Sequence, residues 1–202
     1  MPTPKVRSDT SESVVIYEVR VILLAHITQF YVANLSVSYL FFHLGGMAAL
    51  HLYNYYWSCI DYPSTGSRSI QSVGTPYRGT YLAGSLAAIG EIFDNGCGYN
   101  YDLTESGADR WLRSMRPWAR AKVNYYTTAF KDNWWSYDYC HLATDSFLDD
   151  PDDGVVEKGR GQLSGGNNRG HKSGQCHSSG MYHGPQYNDR SRNNQMNSYA
   201  MY

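Results

Sequence analysis

From Val21 to Ile60 the chain contains no Asp, Glu, Lys or Arg, forty consecutive positions without a formal charge. Charge is scarce elsewhere too. Only 17% of the 202 residues are charged, against about 25% in typical soluble domains. The two signs nearly cancel, with 17 basic and 18 acidic side chains. Bulk attraction to nucleic acid is therefore not expected. No CxxC pair occurs, which excludes a zinc ribbon and a thioredoxin-type motif. GxSxG, HExxH and a phosphate loop are also missing, so none of the spacings that announce those chemistries is present. A cleavable leader is not evident. Lys5 and Arg7 suit its basic start, but Glu18 and Arg20 interrupt the first apolar run and no small-x-small site follows closely. A non-cleaved signal anchor fits better.

What is abundant is amphipathic aromatic surface: 19 Tyr and 5 Trp. Such side chains suit interfaces, where one end is apolar and the other wet. Residues 1 to 13 are polar, with Pro2 and Pro4, and are expected to be disordered. Residues 14 to 60 read as an apolar, membrane-seeking segment. Forty uncharged positions exceed the ~20 that a spanning helix needs. They suggest one tilted helix, or a hairpin turning near Gly45-Gly46. The run Tyr53-Asn54-Tyr55-Tyr56-Trp57 resembles an aromatic belt. Against this stand His26, Gln29, Asn34, His43 and His51, each costly in hydrocarbon. The competing reading is a buried helix or pair of strands, since Phe, Tyr and Val also favour strands.

Residues 61 to 79 read as loop, broken by Pro63, Gly66, Gly74 and Pro76. Residues 80 to 148 read as a helical, aromatic-rich region. Its first apolar run, Tyr81 to Phe93, fits a packed core helix. Ser106, with Asp109 three residues on, is the expected cap of the next helix. Arg110, Arg113, Arg116 and Arg120 then recur at spacings of three and four, beside Trp111 and Trp118. Pro117 ends or kinks that helix, and a second helical piece is expected from Trp118 to Phe130. From Asp149 onward the composition shifts to an acidic patch followed by Gly, Ser, Asn and Gln. Residues 149 to 202 therefore read as a solvated acidic turn and a disordered tail. The expected fold class is mainly α.

Four groups of residues carry potential chemistry. Arg110, Trp111, Arg113, Arg116, Trp118 and Arg120 suit contact with lipid phosphates, with indoles in the headgroup layer. The simpler alternative is that they pair with the acidic patch or solvate one face. His171, Cys176, His177 and His183 are zinc-ligand types at short spacing, but they match no standard finger and read as an accident of composition. His26, His43 and His51 read as satisfied polar groups at a helix interface rather than as haem ligands. Asp149 to Gly154 fails the alternating spacing of a calcium loop. No cofactor and no metal are expected. Cys59, Cys97, Cys140 and Cys176 permit two disulfides in three connectivities.

The function expected from these features is a small, non-catalytic integral membrane protein. It would be a scaffold or accessory subunit, with membrane lipids and other membrane subunits as partners. The alternative is a secreted, disulfide-paired protein such as a membrane-permeabilising toxin. A third reading is a soluble enzyme with Cys97 or His141 as the reactive group.

Overall fold

The computed structural model describes residues 15–16, 37–55, 68–85, 101–130, 142, 144–178 and 180–200. Among them, five strands form one sheet: β1 (Val15–Ile16), β2 (Val37–Phe42), β3 (Arg68–Val73), β4 (Val123–Ala129) and β5 (Asn167–Ser173). Their order in space is their order in sequence, and every neighbouring pair is parallel. Parallel strands need crossover connections, and helices supply them. These are α1 (Leu44–Asn54), α2 (Leu82–Ser85), α3 (Glu105–Ser114) and α4 (Pro117–Arg120). A short second pair, β6 (Gln175–Cys176) and β7 (Gly184–Pro185), precedes α5 (Arg190–Ala200).

The sheet is covered on both faces. Ile70, Val123 and Tyr125 point to one side and pack with Leu50 and Met47 of α1, Tyr77, Met115 and Leu163. Val73 and Tyr126 point to the other side and pack with Met196 and Tyr199 of α5. Gln71 donates across that second interface, from Nε2 to the Met196 carbonyl at 3.3 Å. A sheet buried on both faces draws continuous apolar runs from its strands, not alternating ones.

This architecture corrects the expected fold: it is α/β, not mainly α. The described part of the uncharged run, residues 37–55, is a strand, a sharp turn and an 11-residue helix. At 1.5 Å per residue α1 is about 16 Å long, half of a ~30 Å hydrocarbon core. Among the described residues no helix is long and apolar enough to cross a membrane. The run is uncharged because β2 lies inside the sheet, with α1 and α5 packed on it. Residues 17–36 lie outside the described residues.

Four further expectations are corrected. Residues 68–73, read as loop, are β3. The helix expected from Trp118 to Phe130 stops at Arg120, and its β-branched and tyrosine-rich continuation is β4. The tail is ordered over most of 154–200. Its polar strand β5 pairs with β4 and is the sheet's edge among the described residues, a place where polar side chains are favoured. The cap of α3 is Thr104 rather than Ser106: Gly107 N–H donates to Thr104 Oγ1 at 3.2 Å. Pro117 sits in the first turn of α4, where its missing N–H costs nothing.

Close packing of α1 on β3 depends on Gly46. A Cβ there would meet Thr75 Oγ1, with Thr75 Cγ2 at 2.9 Å and Ser72 Cβ at 3.0 Å. Gly46→Ala is therefore expected to destabilise, although Ala is the better helix former by about 1 kcal/mol. Leu50, fully buried in the same helix, is expected to cost about 2–5 kcal/mol on truncation to Ala. Urea denaturation of both variants against the parent chain measures these effects.

Candidate functional site

The turn between β2 and α1 is sharp. His43 occupies it at φ 51° and ψ −131°, and among the described residues it is the one non-glycine with positive φ. L-residues are strained there, and such strain persists only where the surroundings hold it. The holding contacts are short. His43 N–H donates to the Val73 carbonyl of β3 at 3.2 Å, and Gly46 N–H donates to the His43 carbonyl at 3.2 Å. Phe42, one residue before, packs T-shaped against Tyr187 at 6.1 Å.

Beyond β4 the chain turns through a buried acidic loop. Phe130 N–H donates to the Asp152 carbonyl at 2.7 Å. Asp153 is fully buried. Its Oδ1 accepts from Val156 N–H at 2.8 Å and Val155 N–H at 3.2 Å. Its Oδ2 accepts from Thr128 Oγ1 at 2.7 Å and lies 3.0 Å from His177 Nδ1. Burial alone would raise the Asp153 pKa, but the His177 charge and hydrogen bond, together with Thr128 and Val156, hold it below the usual carboxylate value. His177 comes just after β6, and its N–H donates to the Asp153 carbonyl at 2.8 Å. Residue 177 is thus gripped by its backbone and its ring. The neighbouring Cys176 is fully buried and disulfide-bonded, to a partner outside the described residues.

The rings of His43 and His177 meet T-shaped, with centroids 4.5 Å apart. Asp153 occupies Nδ1 of His177, leaving Nε2 enclosed without a hydrogen-bond partner. Nδ1 of His43 is likewise enclosed and unpartnered, although the residue as a whole is partly exposed. Burial, with the adjacent His177, lowers the His43 pKa to about 3, so its imidazole is neutral at physiological pH.

A buried acid, a histidine oriented by it and a third group on a strained strand-to-helix turn make the layout of a serine-hydrolase triad. In α/β-hydrolases the nucleophile sits on such a turn, and acid and histidine follow it in the chain. The order here is His43 after β2, Asp153 beyond β4 and His177 just after β6. Residue 43, on the strained turn, carries an imidazole and no hydroxyl.

Sequence reasoning touched all three residues without joining them. His43 was grouped with His26 and His51, His177 with His171, Cys176 and His183, and Asp153 with a solvated turn. Asp152, Asp153 and Glu157 are in fact buried. The signal that remained was Phe42-His43-Leu44-Gly45-Gly46, a strand end followed by glycines two and three residues after the turn residue. His26 lies outside the described residues, and His51 accepts from Trp111 Nε1 at 3.3 Å. Among the described residues no group of three metal-ligand types is placed to hold an ion. The six residues expected at lipid lie on three segments. Arg110, over the Tyr101 ring at 5.4 Å, shares α3 with Trp111 and Arg113. Arg116 is extended, and its N–H donates to Asn54 Oδ1 at 2.7 Å. Trp118, on α4, packs on Tyr53, and Arg120 Nη1 donates to the Ser164 carbonyl at 3.0 Å. Cys59, Cys97, Cys140 and His141 lie outside the described residues.

Comparison with known proteins gives a family and a fold. Residues 24–200 match the family described as the Conditioned medium factor C-terminal domain. The chain is 42% identical over 159 residues to Conditioned medium factor of Dictyostelium discoideum, an alignment spanning 78% of this chain and 23% of that protein. The chain therefore corresponds to about a quarter of that relative's length. Its fold is similar to that of a mature lipase from Bacillus licheniformis, with TM-score 0.51 and 18% identity over 69% of this chain and 58% of the lipase. It is also similar to that of a metagenomic carboxyl esterase, with TM-score 0.53 and 16% identity over 82% and 52%. At these identities the likeness establishes fold alone. These findings overturn the integral-membrane reading.

Two groups at the site give stability opposite pH trends. His43, with its pKa lowered from 6.5 to about 3, stabilises the fold fully above pH 6.5, and that contribution is lost as pH falls towards 3. Asp152 is raised from 3.8 to about 7, chiefly by burial. The folded state there holds a proton the unfolded state lacks, so stability is lost as pH rises from about 4 through 7. In the parent chain the two slopes oppose each other. Asp152→Asn should leave stability rising from pH 4 to 7, and His43→Asn should leave it falling. Denaturation midpoints at four or five pH values read both.

Proposed function

We propose that this chain, which belongs to the Conditioned medium factor C-terminal domain family, is part of a secreted, disulfide-bonded factor and acts there as a binding module on a hydrolase-type fold, without serine-hydrolase catalysis. The observation that carries the reading is the imidazole of His43 at the strained turn. Acyl transfer in such a site begins with a hydroxyl whose proton passes to Nε2 of the triad histidine. At residue 43 there is no hydroxyl to give, and the ring itself packs against His177. Two observations support secretion. The relative is named for conditioned medium, and Cys176 is in a disulfide, a bond that persists in oxidising compartments. The binding surface includes Tyr187, which packs on Phe42 beside the turn and is exposed, as are Met181 and Tyr182. Exposed aromatic and Met side chains suit recognition.

The purified chain should neither react with a fluorophosphonate probe nor hydrolyse short-chain p-nitrophenyl esters. His43→Ser places a hydroxyl before an existing Asp153–His177 pair. That variant should gain labelling and slow ester turnover, and the added change His177→Ala should abolish both. Ester hydrolysis by the parent chain that disappears in His177→Ala would mean that the site is catalytic as it stands. Separately, Cys176 should resist a thiol-blocking reagent until the chain is reduced.

A further inference from the structure

A second site lies between the edge strand β5 and α5. A cavity of about 280 Å³ is lined there by Tyr126, Arg169, His171, Lys172 and Arg192, among others. Arg192 is only 4% exposed, and all three nitrogens of its guanidinium are enclosed without a hydrogen-bond partner. The Tyr126 hydroxyl is also enclosed and unpartnered. Buried donors without acceptors are costly, and a buried guanidinium most of all.

The local charge is unbalanced. Arg169, Lys172 and Arg192 bring three cations. Facing them is Asp189, which pairs with Lys172 and accepts the Arg192 backbone N–H at 3.2 Å. Asp189 is held ionised by these partners against the opposing effect of burial. Arg169 is held in position, donating from Nε to Asn124 Oδ1 at 2.8 Å and stacking over the Tyr199 ring at 4.2 Å. His171 is tied to Thr127 at 2.9 Å, and burial, with Lys158 nearby, lowers its pKa from the usual histidine value.

We propose that this cavity binds a small molecule through a tetrahedral oxyanion, a phosphate or sulfate ester group, with Arg192 and Tyr126 as its buried donors and Arg169 at its rim. The guanidinium fork matches two oxygens of such a group, and the phenol is placed for a third. A volume of about 280 Å³ sits at the lower end of small-molecule pockets, roughly 300–1,000 Å³. It therefore admits the anion with part of the molecule that bears it. The site is separate from the His43–Asp153–His177 cluster, although consecutive residues of β4, Thr127 and Thr128, contact the two.

The test is a melting and calorimetric titration of the 202-residue chain with inorganic phosphate, sulfate or acetate, at ionic strength matched with chloride. Phosphate or sulfate should bind saturably and raise the melting midpoint beyond the chloride control, and acetate should not. Equal responses to phosphate and sulfate assign the oxyanion shape, and a preference assigns the ester type. Arg192→Gln should weaken binding at least tenfold while leaving the anion-free midpoint unchanged or higher, because a buried unpaired charge is removed. Arg169→Gln, at a partly exposed position, should also weaken binding and carries the test if Arg192→Gln does not fold. A phosphate and sulfate response no greater than that of chloride, or equal binding by parent and variants, overturns the proposal.

Discussion

The buried carboxylate of Asp153 is the constraint on which the site depends. A charge removed from water is stable only where fixed dipoles and counter-charges replace its hydration. Here the replacements come from distant parts of the chain. Thr128 lies at the end of β4, two amide donors lie in the loop just after Asp153, and His177 follows β6. Satisfying one carboxylate therefore fixes the ends of two neighbouring segments relative to each other. The backbone bond from His177 N–H to the Asp153 carbonyl repeats the link, and the Cys176 disulfide anchors the adjacent position.

The same constraint gives the acid–histidine pair a structural role of its own. In a hydrolase Asp and His would be kept for catalysis. In this chain they also close the C-terminal side of the sheet, where β5 is polar and β6 and β7 are two residues each. That structural role does not depend on a hydroxyl at residue 43. His43 sets a flat ring against His177, and burial keeps that ring neutral. Likeness of fold does not by itself fix function, which rests on the groups at the site.

Parts of this were legible in the sequence and parts were not. Pro117 as a helix boundary and the periodic stretch over Arg110 and Arg113 correspond to α3 and α4, because capping and 3.6-residue spacing are local signals. The sheet was hidden because its interior strands carry no alternation: β2 lies within an uncharged run that reads equally well as membrane helix, and β3 carries Arg and Ser beside Gly and Pro loops. The edge strand was hidden for the opposite reason. Asn167-Asn168-Arg169-Gly170-His171-Lys172-Ser173 has the composition of a disordered tail, and only pairing with β4 orders it. The site was hidden because its three residues are far apart in the chain and no short motif joins them.

The two clusters of unsatisfied polar atoms then take on a common sense. Native interiors rarely leave donors unmatched, and those that remain call for an occupant or a strain. At His43 and His177 the orphaned nitrogens belong to neutral or acid-paired rings, which suffer little from missing a partner. At Arg192 the orphan is a full cation, which no comparable economy explains. Its pKa is lowered to about 10 by burial, with Asp189 and Tyr126 acting against the shift, so the charge is retained at physiological pH. The fold therefore sustains an unmatched positive charge beside a cavity and an acid–histidine pair at the neighbouring strand end. Of the two, the charge is the costlier to leave unmatched, because a buried cation loses far more hydration than a neutral ring.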